Sequence, residues 1–465
     1  MLSLKAVARA TPEATALVHA GGVLSFIKLF DNAETIAEEL QLRCEDRRPV
    51  AFVARNDLAT VALTLALLER GIPAFPLNPR AAAQEHGRLV SHVGARWLEL
   101  SELRFRDASR SEAASSHSVR QIGGGTVVPQ LLIASSGSTG APKIVCLSHQ
   151  ALEAAALAAV SHLSMTERDR WLLSLSLGHI GGVAILFRCL AARAAIVLAE
   201  PTLSAKAFAD CLQAYRPTLA SLVPTQLVRL LSVSPALQPT PLRAVLLGGD
   251  RAPLPLLKQA RAMGWPVLAT YGMSECGSQI ATQPISDLAR HDVFDDVGLP
   301  LSGIELRIDA WGKICVRGQV LFDGYYGENV SPFDTDGWFV TEDFGTVGSG
   351  GRLVTQGRSN EWIASGGETI SSIEIESQLA SIAFVRAAAV VAVADAQWGQ
   401  SVAAAVVLDA AADWSLSLAS IKQELSSKLA SYKLPKRWLR LTELPQLPNG
   451  KLDRVAVRAL FDSDQ

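Results

Sequence analysis

The chain has 465 residues, more than a single hydrophobic core usually organises, so two or more domains are expected. Hydrophobic residues make up 49% of it, enough for a large core, and the 43 basic and 45 acidic residues nearly cancel. No stretch concentrates Lys and Arg as binding to nucleic acid or to an anionic membrane requires. The composition therefore favours a small molecule as the partner.

The cysteines and the hydrophobic segments bear on the cellular location. Six cysteines are scattered without a Cys-x-x-Cys pair or a Cys/His cluster, so neither a zinc site nor a disulfide framework is indicated. The first residues, MLSLKAVARATPEATALV, lack a basic segment followed by an apolar one, and no uninterrupted apolar stretch of about 18 residues occurs. We expect a cytoplasmic protein without membrane insertion, and a homo-oligomer stays open.

Short runs rich in Val, Ile and Leu alternate with longer Ala/Leu-rich segments of helical period. VAFVA (50–54) precedes ATVALTLALLERG (59–71), and LRAVLLGG (242–249) precedes LPLLKQARAMG (254–264). Alternation of strand and helix predicts an α/β fold in which helices cover sheets that are mainly parallel.

The pattern changes in the last third of the chain. Residues from about 294 to 355 read as short strands with Gly turns, which predicts a small β-rich subdomain. A new α+β unit then begins, with helices expected near 371–382 and 417–430 and strands at 386–393 and 402–408. We therefore predict a large N-terminal domain, 1–358, and a smaller C-terminal domain, 361–465.

A loop rich in Gly and Ser, SSGSTGAPK (135–143), follows the apolar run QLLIA and precedes an expected helix. Backbone N–H groups in such a loop can surround an anion, hydroxyls add donors, and Lys143 adds a full positive charge. The Walker A pattern does not fit, because two residues separate Gly140 from Lys143. The loop predicts a phosphate site, and a solvated linker is the alternative.

This loop resembles the phosphate loop of the adenylate-forming superfamily of acyl-CoA synthetases. Four further stretches resemble motifs of that superfamily in the same order along the chain: YGMSE (271–275), GWFVTEDFG (337–345), GRSNEWIASGGETISSIEIE (357–376) and LPNGKLDR (447–454). The resemblance spans most of the chain. It implies an enzyme that joins a carboxylate to ATP as acyl-AMP, with Mg²⁺, and then transfers the acyl group to coenzyme A.

The resemblance also implies roles for single residues. The β- and γ-phosphates would be held by Ser135, Ser136, Gly137, Ser138, Thr139, Gly140 and Lys143. Ser274 would donate to the α-phosphate and Glu275 would coordinate Mg²⁺, a cation that favours carboxylate oxygens. In isolation, YGMSE could equally be a strand end with a solvated Glu.

Residues near the domain boundary and beyond it would complete the nucleotide site. Asp343 would accept hydrogen bonds from the ribose hydroxyls, and Arg358 would contact ribose or phosphate. Lys451 stands in an Asn-Gly turn, where a solvated lysine is the local expectation, but in the superfamily this position bridges the substrate carboxylate and the α-phosphate. The C-terminal domain would rotate about Asn360 between the two half-reactions, bringing Gly366 and Gly367 to the pantetheine channel.

Further residues are expected around the adenine and aryl rings, where glycines permit close approach and an aromatic ring offers a stacking face. They are Gly248, Gly249, Asp250, Tyr271, Gly272 and Met273. Strand-end packing would place the same residue types there, so this alternative stays open.

The stretch WLLSLSLGHIGGVAILFRCL (171–190) resembles the segment that lines the acyl pocket. His179 takes the place of a pocket histidine, although a lone His in apolar sequence is as often a core residue. Gly178 replaces an aromatic residue, which predicts a wider pocket edge. Arg188 has apolar helical neighbours and needs an anionic partner, either an internal acid or a second substrate carboxylate. Thr225 and Ser278 are predicted pocket donors.

Among the branches of the superfamily, these segments resemble the o-succinylbenzoate–CoA ligases of menaquinone biosynthesis. That substrate is adenylated on its succinyl carboxylate and keeps a free benzoate, which Arg188 would neutralise. The alternatives are another aryl-CoA ligase, of benzoate or anthranilate type, and a stand-alone adenylation enzyme that loads an acyl carrier protein. A non-catalytic nucleotide sensor is the alternative of another class. The joint presence of five residues argues against it: Lys143, Glu275, Asp343, Arg358 and Lys451.

Overall fold

The structure is a computed structural model that describes residues 2–43, 48–100, 129–135, 143–199, 204–233, 240–290, 295–358, 361–365, 368–395, 397–410, 412–447 and 450–462. The α-helices in these ranges are α1 Leu4–Ala10, α2 Phe26–Arg43, α3 Leu58–Glu69, α4 Ala83–Val93, α5 His149–His162, α6 Ile180–Ala192, α7 Ala205–Tyr215, α8 Pro224–Val233, α9 Leu254–Ala262, α10 Ser372–Ala380, α11 Trp414–Lys428 and α12 Arg454–Asp462.

The strands, in chain order, are β1 Thr15–His19, β2 Gly22–Ser25, β3 Val50–Val53, β4 Ala74–Leu77, β5 Arg96–Trp97, β6 Leu131–Ser135, β7 Lys143–Leu147, β8 Arg170–Leu173, β9 Ala195–Leu198, β10 Leu219–Leu222, β11 Ala244–Leu247, β12 Val267–Met273, β13 Ser278–Thr282, β14 Leu299–Pro300, β15 Ile304–Ile308, β16 Lys313–Gly318, β17 Gly324–Tyr325, β18 Phe339–Val347, β19 Leu353–Arg358, β20 Trp362–Ser365, β21 Glu368–Ser371, β22 Val385–Asp395, β23 Gly399–Leu408 and β24 Arg437–Leu441.

Two sheets with parallel centres form the body of the large N-terminal domain. The first has the order β14-β13-β12-β11-β10-β8-β9-β1-β2, and its strands run parallel from β12 to β1. Strands β9, β10 and β11 are buried along their whole length, as expected where helices cover both faces of a parallel sheet. The strand–helix alternation read from the sequence is confirmed here.

The second sheet has the order β17-β7-β6-β4-β3-β5, with parallel pairing from β6 to β5 and antiparallel pairing of β6, β7 and β17. The sequence predicts a helix directly after the Gly/Ser loop, but strand β7 comes first and α5 begins at His149. A five-residue apolar run cannot be distinguished by periodicity from the start of a buried helix, which explains the error.

A small antiparallel sheet, β15-β16-β18-β19, forms the predicted β-rich region. Arg352, just before β19, anchors it to the larger body through Asp287, at 2.6 Å, and Asp296, at 2.8 Å. Both carboxylates are buried, so these pairs fix the position of the sheet more firmly than exposed pairs would.

The smaller C-terminal domain is built on β21-β20-β23-β22, with β24 paired to β23. Side chains alternate across this sheet, so Val390 packs in the cluster that contains residues of α10 and α11, and Val391 in the cluster that contains residues of α12. The strands and helices predicted from this part of the sequence are present. The α/β fold class, with a large N-terminal and a smaller C-terminal domain, is confirmed.

Within the described ranges, every helix is too short or too polar to cross a lipid bilayer. Five of the cysteines, Cys146, Cys189, Cys211, Cys276 and Cys315, are buried and form no disulfide.

Candidate active site

A cavity of about 760 Å³ lies where the parallel strands of the two large sheets end. Residues that follow directly after strands line it, for example Asn78 after β4, Ser174 after β8, Val223 after β10 and Gly248 after β11. Carboxyl ends of parallel strands converge on one edge of a sheet, and this is where α/β proteins bind ligands.

Most of the sequence-predicted site residues that the structure describes line this cavity. They are Ser135, Lys143, His179, Arg188, Gly248, Gly249, Gly272, Met273, Ser274, Glu275, Ser278, Asp343, Arg358 and Lys451. Asp250, Tyr271 and Thr225 are described but do not line it. The predicted residues Ser136, Gly137, Ser138, Thr139, Gly140, Gly366 and Gly367 lie outside the described residues.

The two ends of the Gly/Ser loop reach the cavity on adjacent antiparallel strands. Ser135 closes β6 and pairs in register with Lys143, the first residue of β7, and its hydroxyl donates to the Lys143 carbonyl at 3.1 Å. The Lys143 ammonium lies 4.6 Å from the ring centroid of Tyr325, in a cation–π contact. This pairing holds the lysine at the cavity wall.

Glu275 follows strand β12 in a short 3₁₀ turn, Ser274–Cys276. Its Oε1 accepts a hydrogen bond of 2.9 Å from the hydroxyl of Tyr325. Burial and the neighbouring charge of Glu275 raise the pKa of Tyr325, so its hydroxyl stays protonated as a donor at neutral pH. Tyr325 thus contacts both Lys143 and Glu275. It was missed in the sequence, where residues from about 294 to 355 were interpreted only as short strands with Gly turns.

Asp343 and Arg358 face each other across strands β18 and β19. Asp343 is 8% exposed, and its Oδ1 accepts from Arg358 Nε at 2.8 Å while its Oδ2 accepts from the Tyr271 hydroxyl at 2.7 Å. Each carboxylate oxygen keeps a second lone pair, so the group can still accept hydrogen bonds from ribose hydroxyls. Tyr271, expected to offer a stacking face to a ring, here orients Asp343.

Lys451 brings a cation from the C-terminal domain into the same cavity. Its aliphatic stem passes Gly249, where a Cβ would lie 3.8 Å from Lys451 Cε, and the φ of +80° at Gly249 also favours glycine. Burial lowers the pKa of Lys451, opposed by the negative charge of Asp250. The lysine therefore loses its proton more readily than an exposed lysine would.

Thr225, a predicted pocket donor, has another partner in the structure. Its hydroxyl donates a 2.8 Å hydrogen bond to the carbonyl oxygen of Gly450, the residue before Lys451. Thr225 stands in the first turn of α8, does not line the cavity, and faces the turn that carries the lysine. Ser278, the other predicted donor, lines the cavity with a φ of +110°, a strained value for serine, next to a β-bulge.

His179 lies at the start of α6, with its Nε2 3.1 Å from the amide Nδ2 of Asn78. Burial lowers the pKa of His179 to about 4, assisted by the positive charges of Lys451 and Arg80. The imidazole is therefore neutral at physiological pH, with Nε2 accepting from the amide. Histidine acts here as a polar wall of the cavity.

Gly178 was expected to leave a wider pocket edge. A Cβ at this position would lie only 2.6 Å from the Cα of Asn78, so the backbone that leaves β4 fills the space of the missing side chain. The expected widening is absent because the main chain at Asn78 occupies this space. Such a contact between distant segments cannot be recognised locally in the sequence.

Arg188 points into the cavity from α6 and is 2% exposed. Its guanidinium carbon lies 5.3 Å from the ring centroid of Trp171, but Nε and Nη2 have no hydrogen-bond partner among the described residues. Burial lowers the pKa of Arg188 to about 10. In the described part of the chain no carboxylate pairs with it, so the internal acid that the sequence left open is not found there.

Two protein-family models match most of this chain. The family model of AMP-binding enzymes matches residues 4–326, and that of the AMP-binding enzyme C-terminal domain matches residues 374–451. The chain belongs to the AMP-binding enzymes. The resemblance to the adenylate-forming superfamily read from the sequence is therefore confirmed.

Several relatives of this AMP-binding enzyme are named 2-succinylbenzoate–CoA ligases. The 2-succinylbenzoate–CoA ligase of Bacillus velezensis is 30% identical and aligns over 97% of this chain and 96% of its own length. A solved structure of o-succinylbenzoate CoA synthetase from Bacillus subtilis with its acyl-adenylate intermediate superposes with a TM-score of 0.85, at 28% identity, covering 98% of this chain and 97% of that one.

The same Bacillus subtilis protein in complex with ATP and magnesium superposes with a TM-score of 0.83, at 28% identity, over 97% of this chain and 98% of that one. The resemblance of this AMP-binding enzyme to the o-succinylbenzoate–CoA ligase branch is thus confirmed over nearly the whole chain. Neither a carrier-protein ligase nor a nucleotide sensor is favoured by these comparisons.

Proposed function

We propose that this AMP-binding enzyme is a 2-succinylbenzoate–CoA ligase of menaquinone biosynthesis. In the first half-reaction a carboxylate oxygen of the succinyl arm attacks the α-phosphorus of ATP, and the bond from that phosphorus to the pyrophosphate oxygen breaks. In the second, the sulfur of coenzyme A attacks the acyl carbon and AMP leaves, while the thiol proton is released. The products are AMP, pyrophosphate and the CoA thioester.

Arg188 is the observation that carries the choice of substrate. Lys143, Arg358 and Lys451 serve the nucleotide and the carboxylate that reacts, which leaves Arg188 as a buried guanidinium with two nitrogens that have no partner among the described residues. A buried charge without a partner is costly by several kcal/mol, so the site is built for an anion that arrives with the substrate. A dicarboxylate, with one group adenylated and one kept, supplies that anion.

The nucleotide end of the cavity supports ATP with Mg²⁺. Within the described residues, no group of three or more His, Cys, Asp and Glu side chains forms a metal site, but Glu275 offers one carboxylate to the cavity. This fits Mg²⁺, which usually takes one or two protein carboxylates and completes its shell with substrate phosphates and water. Bound there, the cation would neutralise phosphate charge during the attack.

The remaining groups align and neutralise two anionic reactants. Lys143 at the end of the Gly/Ser loop faces the leaving pyrophosphate, Ser274 donates to the α-phosphate, and Asp343 with Arg358 holds the ribose. Lys451 places its ammonium between the attacking carboxylate and the α-phosphate, where negative charge accumulates. These assignments rest on the shared cavity and on the family resemblance.

Coenzyme A is the acceptor in this proposal. Lys451 has to leave the cavity before the thiol can attack from the same side, so residues 361–465 would rotate and bring Gly366 and Gly367 toward the pantetheine arm. The comparison that decides the acceptor measures acyl transfer to CoA and to a purified carrier protein. A cytoplasmic location and a homo-oligomer stay predictions.

A panel of carboxylic acids in an ATP- and Mg²⁺-dependent CoA-thioester assay tests the function. We expect 2-succinylbenzoate to have the highest kcat/KM. Arg188→Ala should raise KM for 2-succinylbenzoate by about 100-fold or more, because the kept carboxylate loses a buried charge-assisted partner. The KM of an aryl monocarboxylate should change by less than about threefold, since it makes no such contact.

Arg188→Lys serves as the matched variant, because it keeps the charge but loses the planar fork, and an intermediate KM is expected. An equal rise in KM for both classes of acid in Arg188→Ala would refute the second-carboxylate role. A wild-type protein that turns over an aryl monocarboxylate better than 2-succinylbenzoate would refute the substrate itself.

A further inference from the structure

The turn that carries Lys451 is fixed on both sides of the lysine. Leu447 N–H donates to the Lys451 carbonyl at 2.8 Å, and Gly450 N–H donates to the Leu447 carbonyl at 2.8 Å. These bonds shape the turn itself but do not fix it relative to the N-terminal domain. Contacts across the domain boundary decide where the ammonium of Lys451 stands.

Helix α8 provides two of these contacts. Thr225 Oγ1 donates at 2.8 Å to the carbonyl oxygen of Gly450, which belongs to the peptide unit that joins Gly450 to Lys451. One helical turn further, Arg229 Nη2 donates at 3.0 Å to Oε1 of Gln446. Residues four apart lie on one face of a helix, so this face of α8 meets both ends of the lysine turn.

Among the described contacts, the hydroxyl of Thr225 forms no capping bond at the start of α8. The side chain that bonds to the backbone at the start of α8 is Gln226, whose Oε1 accepts from Val223 N–H at 3.0 Å. Packing supports the same docking, since a Cβ at Gly450 would lie 3.5 Å from Val223 Cγ2. The hydroxyl of Thr225 therefore serves the contact between the two domains.

We propose that Thr225 is a positioning residue for adenylation, a latch that holds the lysine turn while Lys451 stands in the cavity. The inference rests on the proposed function, in which Lys451 acts in the first half-reaction and leaves for the second. Because the bond joins residues of the two domains, it exists only in the docked pose. Its loss should slow acyl-adenylate formation and leave thioester formation unharmed.

Thr225→Val removes the hydroxyl and keeps the shape of the side chain. We expect carboxylate-dependent ATP–pyrophosphate exchange to fall about three- to tenfold, the range that corresponds to one hydrogen bond between uncharged groups. Thioester formation from preformed acyl-adenylate and CoA should be unchanged or faster. Thr225→Ser, which keeps the donor, should restore exchange to near the wild-type rate.

Ser232→Ala is the matched control, because it removes a hydroxyl from the same helix that bonds only to the carbonyl of Arg229 in the described structure, at 2.7 Å. It should change neither half-reaction. An equal loss of both half-reactions in Thr225→Val, exchange at the wild-type rate, or failure of Thr225→Ser to restore exchange would each overturn the latch.

Hydrogen exchange of the peptide that contains Gly450 and Lys451 tests the latch without any substrate. We expect amide hydrogen exchange of this peptide to be faster in Thr225→Val than in the wild type and Thr225→Ser. Equal hydrogen exchange in all three proteins would overturn the latch. A wild-type protein that adenylates no carboxylate would instead refute the proposed function. The hydrogen-exchange measurement would still decide whether Thr225 holds the lysine turn.

Discussion

The hydroxyl of Tyr325 donates to Glu275 while the ring of the same residue lies against the ammonium of Lys143. One side chain therefore joins the carboxylate proposed to bind Mg²⁺ and the lysine proposed to bind the leaving phosphates. It connects the strand pair that bounds the phosphate loop with the turn after β12, which are far apart in sequence. Both proposed ligands of the triphosphate depend on its placement.

Tyr325→Phe should weaken the Mg²⁺ site and spare the contact with Lys143. Glu275 loses the hydrogen bond that orients one oxygen, and a bond to a charged group contributes about 1.5–3 kcal/mol. We expect the Mg²⁺ concentration for half-maximal pyrophosphate exchange to rise about tenfold or more. The measurement is a Mg²⁺ titration at saturating ATP.

Tyr325→Leu is the companion variant, because it also removes the ring beneath Lys143. It should raise KM for ATP further than Tyr325→Phe does, since the lysine loses its cation–π contact. Wild-type Mg²⁺ dependence in Tyr325→Phe would show that Glu275 is oriented by other groups.

Lys451 should give the proposed adenylation half-reaction an alkaline limit. Burial lowers the pKa of this lysine, so its cation is lost as pH rises through a value below the ordinary pKa of about 10.4. The kcat/KM for ATP in pyrophosphate exchange should therefore fall on the alkaline side earlier than an exposed lysine predicts, because this parameter reports the free enzyme. A pH profile of exchange checks the limit.

Two variants assign that limit to Lys451. Lys451→Ala should abolish exchange and still form thioester from preformed acyl-adenylate. Lys451→Arg stays charged throughout the assay range, so its residual exchange should lack the alkaline fall. The same fall in Lys451→Arg as in the wild type would assign it to another group.

The sequence predicted the parts of this molecule that depend on local pattern. The Val/Leu-rich run of β11 and the helical period of α9 can each be read from their own segment. The Ala/Val-rich runs of β22 and β23 can be read in the same way. The motif residues were also recognised in the sequence, because each motif is a short contiguous stretch that can be read without knowledge of the fold. Strand β7 was missed because only Ser148 separates it from helix α5, so its apolar run could not be distinguished by periodicity from the start of that helix.

Contacts between distant segments could not be read in the same way. Thr225 lies 225 residues from its partner Gly450, and Tyr325 lies 50 residues from Glu275, so neither pair leaves a local signature. The surroundings of Arg188 were equally hidden. Its apolar neighbours predicted that it needs an anion, but only the structure shows two nitrogens at the cavity that have no partner in the described part of the chain.

Arg188 should lower the stability of the protein without substrate. Arg188→Met replaces an unpartnered buried charge by an apolar side chain of similar length, and we expect the free energy of unfolding to rise by about 1–4 kcal/mol. Urea unfolding at neutral pH measures the difference. Added 2-succinylbenzoate should raise the unfolding midpoint of the wild type and leave that of Arg188→Met unchanged.

The pH dependence of this difference has a defined sign. The pKa of Arg188 is lowered to about 10 in the folded protein, so the folded state resists the charged form and the penalty is fully present below that value. The advantage of Arg188→Met should shrink as pH rises above about 10, where the folded wild type gives up the proton. An advantage that grows with pH would contradict the burial of an unpaired charge.

Gly178 should tolerate no side chain. An added Cβ would lie 2.6 Å from Asn78 Cα and 2.7 Å from Asn78 N, and these are backbone atoms that cannot rotate away. We expect Gly178→Ala to lower the free energy of unfolding by about 1–3 kcal/mol, the usual effect of overpacking. Since Asn78 also donates to His179, the displaced backbone should raise KM for the carboxylate as well.

Gly181→Ala, three residues along the chain in helix α6, is the control for that stability measurement. Its added Cβ would meet only the end of the Leu175 side chain, at 3.0 Å, which can turn aside. Alanine also favours the helix by up to about 1 kcal/mol over glycine, so this variant should unfold at the wild-type urea midpoint or above it. If Gly181→Ala lost as much stability as Gly178→Ala, the close approach of Asn78 would not be what excludes a side chain at residue 178.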